Sequence, residues 1–233
     1  MKARFWLAST LILFGLLLQP LFAEEFHYLS AGQLDPVAIL PPPPTSGSAE
    51  QAADLATVES AHKNCPPADY AAAKSEEHFD AFVFAPAIGP FFQHGKLPLT
   101  EALLHDVHGD TEQIVQHAKS FWNRTRPYVV DPSLAAHVKP EPNASYPSGH
   151  SANATVYALL LAELFPDKQP EILALGRNVG WHRVELAKHY PSDVYAGEVL
   201  AMDIVHTLKT SPKFQKDFAA AKAEATAAAH ATP

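Results

Sequence analysis

Cysteine is nearly absent from this chain of 233 residues. Cys65 stands alone, so no internal disulfide can form, packing must hold the fold, and the thiol reads as a passive one. Basic side chains are in deficit, 17 Lys and Arg against 25 Asp and Glu, for a formal charge of −8. A general nucleic-acid binder carries a basic surface, so a nucleic-acid polymer is excluded as partner and any attraction for an anion has to be local. Apolar–polar alternation of useful length is missing, as are internal repeats, which argues against sheets and repeat architectures. After the N-terminus there is no apolar run long enough to cross a membrane.

What is present begins with a targeting segment. Lys2 and Arg4 precede an almost wholly apolar stretch over residues 5–18, Gln19-Pro20 breaks it, and Leu21-Phe22-Ala23 offers a cleavage site before Glu24. This is the layout of a secretory signal peptide over residues 1–23. The apolar run of about 14 residues falls short of the ~20 a spanning helix needs. Cleavage leaves 15 basic against 25 acidic side chains, a charge of −10, in a chain without stable membrane insertion that is exported to a periplasm or secreted.

Residues 24–48 read as an extended lead-in, with polyproline II over residues 41–44. Residues 49–230 read as a single helical domain. Helices are expected over residues 49–62, 67–82, 156–165, 171–186, 191–208 and 214–229. Another begins at a Thr100 cap, with Leu103, Val107, Ile114, Ala118 and Phe121 at helical spacing. The stretch 156–165 is apolar on nearly every face, so the expected fold is an all-α bundle around a buried central helix.

Three short clusters carry the chemistry. Lys119 is followed by Arg126-Pro127; Pro147-Ser148-Gly149-His150 leads into the apolar helix; Arg183 precedes His189 and Asp193. Taken singly, each has an ordinary reading: cations offsetting a helix C-terminus, a Ser cap, an acidic residue in a first helical turn. Taken together they supply charge to bind a phosphoryl group, a nucleophile to receive it and an acid to release the leaving group. Ser148 can cap and Gly149 lets the backbone approach an anion at the helix N-terminus. Asp193, one turn past His189, can fix its tautomer. Arg124 is assigned to the solvated face.

In order and spacing these clusters resemble the signature of the type 2 phosphatidic acid phosphatase superfamily, which also contains the vanadium haloperoxidases. The signal segment and Leu40-Pro41-Pro42-Pro43-Pro44 resemble the bacterial class A non-specific acid phosphatases. The resemblance implies His189 as nucleophile through a phosphohistidine, Asp193 as its orienter, and His150 as the acid–base group. It also implies Lys119, Arg126, Ser148, Gly149 and Arg183 as the phosphate cradle. It implies small phosphate esters as substrates, with phosphotransfer as a variant, no metal or other cofactor, and a homo-oligomeric assembly. One position departs: His182 stands where the family has Ser before the third-cluster Arg.

Four further readings use the same residues: a lipid phosphatase, a pyrophosphate phosphatase, a vanadate-dependent haloperoxidase and a periplasmic phosphate-binding protein. His105, His108 and Asp110 share a helix with the apolar stripe and are declined as metal ligands. The acceptor sequences at Asn123, Asn143 and Asn153 are taken as chance glycosylation matches.

Overall fold

The computed structural model describes residues 26–231; the signal segment expected over residues 1–23 lies outside them. The helices in chain order are α1 (Pro36–Ile39), α2 (Ala49–Asn64), α3 (Pro67–Ser75), α4 (Ala85–Ile88) and α5 (Pro98–Trp122). They continue with α6 (Pro127–Val130), α7 (Gly149–Leu164), α8 (Gln169–Glu185), α9 (Pro191–Leu208) and α10 (Pro212–Ala231). No strand occurs among the described residues, and the fold is all-α.

α7 is the axis. Val156, Leu160 and Leu161 have no measurable exposure, and each such burial is worth about 1.5–3 kcal/mol. α8 and α9 pack along one side of it, while α5 and α10 pair across another. Two glycines set how close these neighbours come. A Cβ at Gly176 of α8 would lie 2.7 Å from the Ala158 Cβ, and one at Gly197 of α9 would lie 2.6 Å from the Ser148 carbonyl oxygen. The second contact seats α9 directly on the first turn of α7.

Several helix ends differ from the sequence expectation for identifiable reasons. α5 starts at Pro98, whose fixed φ suits a first helical position, so Thr100 is not its cap. The Thr100 hydroxyl and amide instead donate to Glu224 of α10, whose other oxygen accepts from the Leu99 amide. The helix expected over residues 67–82 stops at Ser75. Glu76 is drawn to His182, and Asp80 caps a separate 3-10 turn at Ala81–Phe84 through the Phe82 amide. The lead-in is not wholly extended, because Asp35 caps the single turn of α1. It is also anchored at both ends. Asp110, buried in α5, accepts the amides of His27, Tyr28 and Leu29, and the Tyr146 hydroxyl donates to the Pro41 carbonyl. Cys65 caps α2, and burial pushes its thiol up to about 11, so it stays protonated at neutral pH.

Gly197→Ala sets a backbone carbonyl against a new methyl group, so it is expected to lower stability by about 1–3 kcal/mol. A thermal denaturation midpoint equal to wild type or above it would contradict the assigned packing.

Candidate active site

The three clusters converge on a cleft of about 310 Å³, lined among others by Lys119, Arg126, Gly149, His150 and His189. Ser148, Arg183 and Asp193 stand behind that lining, each at most 1 % exposed. Ser148 is the N-cap of α7: its hydroxyl accepts the Ser151 amide, and its own amide donates to the Asp193 carbonyl. The first turn of α7 thus points into the cleft with its positive dipole end, at Gly149 and His150.

His189 reaches the cleft through the turn that ends α8. The Lys188 amide donates to the Arg183 carbonyl at 2.9 Å and the Ala187 amide to the Val184 carbonyl at 2.9 Å, which is the paired bonding of a Schellman motif. Its left-handed position is filled by Ala187, φ 54°, rather than glycine, at a cost of about 1–2 kcal/mol. The His189 amide closes on the same Arg183 carbonyl at 3.2 Å, so the third-cluster arginine and histidine are locked to each other by backbone.

The His189 ring has one self-consistent protonation state. Arg126 Nη1 lies 3.1 Å from Nε2, and a guanidinium can only donate, so Nε2 carries a lone pair. Nδ1 lies 3.4 Å from the Asp193 carboxylate and is therefore the protonated nitrogen. Burial, then the charges of Arg126, Lys119 and Arg183, holds His189 well below the ordinary imidazole range. Burial followed by Arg183 does the same to His150, with the Glu77 and Glu76 backbone acting weakly against it. Burial and the neighbouring Arg126 push Lys119 down to about 7, and burial pushes Arg183 to about 10.

Arg126 is fixed by Asn143 through both its carbonyl and its side chain, and by the Lys188 and Ala144 carbonyls. Lys119 Nζ donates to the Ala144 carbonyl. Arg183 is different. It is 1 % exposed, its nearest carboxylate is Glu141 at 3.7 Å, and its Nε and Nη1 have no protein partner. His150 Nε2 is likewise buried without one.

Arg124 corrects the sequence reading. It is not on a solvated face but 8 % exposed, stacked 3.9 Å over the Tyr190 ring. Nη1 donates to Asp193 at 2.6 Å and to the Ser192 hydroxyl; Nη2 donates to Asp54 and Gln51 of α2. Asp193 also accepts from the Ser145 hydroxyl at 2.6 Å and the Tyr190 amide at 2.9 Å.

Other residues were missed. Lys188, 2 % exposed, bridges Glu141 at 2.7 Å and Glu77 at 3.4 Å, both of which line the cleft; its place beside His189 was the available signal. Asn143 and Asn153 line the cleft, although the sequence offered them only as chance acceptor matches. His182 points away from the cleft lining. Its Nδ1 bonds Glu76 at 2.7 Å; burial opposes its charge, but that bond and the Glu76 charge outweigh it and raise its pKa.

Comparison with known proteins agrees with this geometry. Residues 109–215 match the PAP2 superfamily. The chain is 32% identical over 86% of its length to a non-specific acid phosphatase of Providencia stuartii, covering 85% of that protein. It is 33% identical over 87% of its length to an acid phosphatase of Zymomonas mobilis, covering 78% of it. In fold it is similar to a transmembrane PAP2-type phosphatidylglycerolphosphate phosphatase from Bacillus subtilis. That match has a TM-score of 0.50 at 23% identity and covers 75% of this chain and 89% of that one. It is also similar to a bacterial vanadium-dependent iodoperoxidase, with a TM-score of 0.58 at 15% identity over 74% of this chain and 52% of that one. With the three clusters gathered in one cleft and relatives of this identity spanning most of its length, the chain belongs to the PAP2 superfamily.

Proposed function

We propose that this protein is an exported acid phosphatase that hydrolyses small phosphate monoesters through a phosphohistidine at His189. The observation that carries the reading is the pairing of His189, held neutral with its Nε2 lone pair accepting from Arg126 at the cleft, with unpartnered donors on Arg183. Donors that are buried and unsatisfied are costly unless something accepts from them, and a phosphoryl group does so with three oxygens.

In the proposed cycle the phosphoryl oxygens take over the donors of Arg126, Arg183 and Lys119 and the amides opening α7. Nε2 of His189 attacks phosphorus in line, the P–O bond to the leaving alcohol breaks, and His150 delivers its proton to the departing oxygen. Asp193 balances the charge that grows on the His189 ring. Water then attacks the phosphohistidine, His150 accepts a proton from it, and phosphate leaves with Nε2 restored. An alcohol in place of that water gives phosphotransfer. The fixed cations supply the charge stabilisation a metal would otherwise give, so no metal or other cofactor is required.

Among the described residues no helix is long and apolar enough to cross a membrane, which suits a small soluble ester better than a lipid held in a bilayer.

His189→Ala is expected to abolish turnover of an aryl phosphate, and wild-type protein quenched during turnover should carry an acid-labile phosphoryl group on His189. A variant retaining near wild-type rate refutes the nucleophile. The general acid must be protonated in the free enzyme, and His150 is depressed, so kcat/KM should fall as pH rises, with the falling limb below the ordinary imidazole value of about 6.5. A profile flat to alkaline pH excludes His150 from that role. Arg124→Ala leaves the buried Asp193 and Asp54 without their cation, so urea denaturation should show a loss of about 3–5 kcal/mol. Equal stability would mean the pair is not structural.

A further inference from the structure

Outward from Lys119 along α5, Gln116, Glu112 and His108 recur at helical spacing and all line the cleft. At about 1.5 Å of rise per residue, the Glu112 backbone lies about 10 Å from that of Lys119 along the helix axis. Its carboxylate returns to the first turn of α7, since a Cβ on Gly149 would be 3.5 Å from Glu112 Oε1 and 3.9 Å from Lys119 Cε. In-line attack from His189 would send the leaving group of a bound ester away from that ring into the rest of this cleft, whose lining includes these residues.

The other cleft carboxylates are paired with cations: Glu77 with Lys74 and Lys188, Glu141 with Lys188. Glu112 is held but not neutralised. Oε1 accepts the Asn153 side-chain amide at 2.5 Å and Oε2 that of Gln116 at 3.3 Å, and among the described residues no cation comes within ion-pair distance. Asn153 Nδ2 also donates to the Gly149 carbonyl, which fixes the amide orientation. Its Oδ1 must then accept from His108 Nδ1 at 2.9 Å, so His108 holds the amide that holds Glu112. The wall therefore offers a carboxylate acceptor. Phe79 also lines the cleft, with its ring centroid 5.2 Å from that of His150.

We propose that Glu112, held by Asn153 and Gln116, forms a leaving-group subsite that selects phosphomonoesters whose alcohol carries a hydrogen-bond donor, a hydroxyl or an ammonium, close to the ester oxygen, and disfavours those carrying a second anion there. The proposal rests on the phosphatase reading. It concerns the alcohol, not the phosphoryl group.

The test uses size-matched esters: 2-aminoethyl, 2-hydroxyethyl, propyl and carboxymethyl phosphate, hydrolysed by the wild-type protein and by Glu112→Gln. Dividing variant by wild type cancels the intrinsic reactivity of each leaving group. Relative to the propyl ester, the variant should lose about tenfold in kcat/KM on the aminoethyl ester and about threefold on the hydroxyethyl ester, and should gain on the carboxymethyl ester. A larger loss for the ammonium identifies charge as the feature read; equal losses identify the hydrogen bond. One common factor for all four esters overturns the proposal. Inhibition of the wild-type protein by 3-aminopropylphosphonate and butylphosphonate needs neither the variant nor turnover. The amino compound should bind more tightly, and equal or weaker binding also overturns the subsite. A wild-type protein inert toward p-nitrophenyl phosphate would instead remove the phosphatase reading, while the phosphonate comparison still reports on the subsite.

Discussion

The buried carboxylate of Asp193 is the interaction on which the rest of the site depends. It is fully enclosed, and an isolated ionised carboxylate there would be prohibitively costly. Four partners remove that cost: Arg124 from the end of α5, Ser145 from the loop before α7, the Tyr190 amide from its own helix start, and the His189 ring. Its backbone carbonyl accepts the Ser148 amide at the head of α7. One residue thus ties together the starts of two helices, the end of a third and the proposed nucleophile. Through Asp54 and Gln51, Arg124 adds α2 to the same knot. The ion pair is weak evidence for stability in itself, because desolvation offsets much of the attraction. Its use is to fix geometry, since losing any one partner leaves a charge stranded.

The cations of the cleft follow the same logic with the opposite sign. Lys119, Arg126 and Arg183 are all buried within one small region of an acidic chain; burial lowers all three pKa values, and the charge of Arg126 adds to it at Lys119 and, less, at Arg183. Carbonyl oxygens hold Lys119 and Arg126 in place, which satisfies donors without cancelling charge. The nearby carboxylates have other cations of their own: Glu141 and Glu77 share Lys188, and Asp193 pairs with Arg124. The field at the phosphoryl position is therefore strong because neutral acceptors do the positioning.

Much of this was legible in the sequence, and the reasons are specific. The clusters could be read because phosphoryl chemistry demands a few residue types, and helical spacing brings them together in ways that sequence order reports. The position of α9 was readable because Pro191 fits only a first helical turn. The start of α5 was misplaced because Pro98 outweighs a Thr two residues later, and the Thr100 hydroxyl was claimed by Glu224, 124 residues away. Arg124 was misassigned for the same kind of reason: its partners at residues 51, 54 and 193 are distant in the chain, so local pattern describes it only as one more cation near a helix end. The wall of Glu112, Asn153 and His108 was missed because it spans α5 and α7: the helical spacing of 108, 112, 116 and 119 is visible in α5, but the Asn153 that holds Glu112 lies 41 residues away.

The glycine contacts that seat α8 and α9 against α7 have a consequence for how such a protein can diversify. Backbone-to-backbone approach leaves those helices no room to slide, so Arg183, His189, Asp193 and the head of α7 are inherited as one rigid block. The walls that would meet the alcohol in the proposed reaction come from elsewhere, from the outer turns of α5, the 3-10 turn at residues 76–78 and the loop around residues 139–143. Positions there that bond back to the cleft's cations, such as Asn143 on Arg126 and Glu141 on Lys188, remain tied to that block, and only the other wall positions leave room for substrate range to change while the block stays fixed.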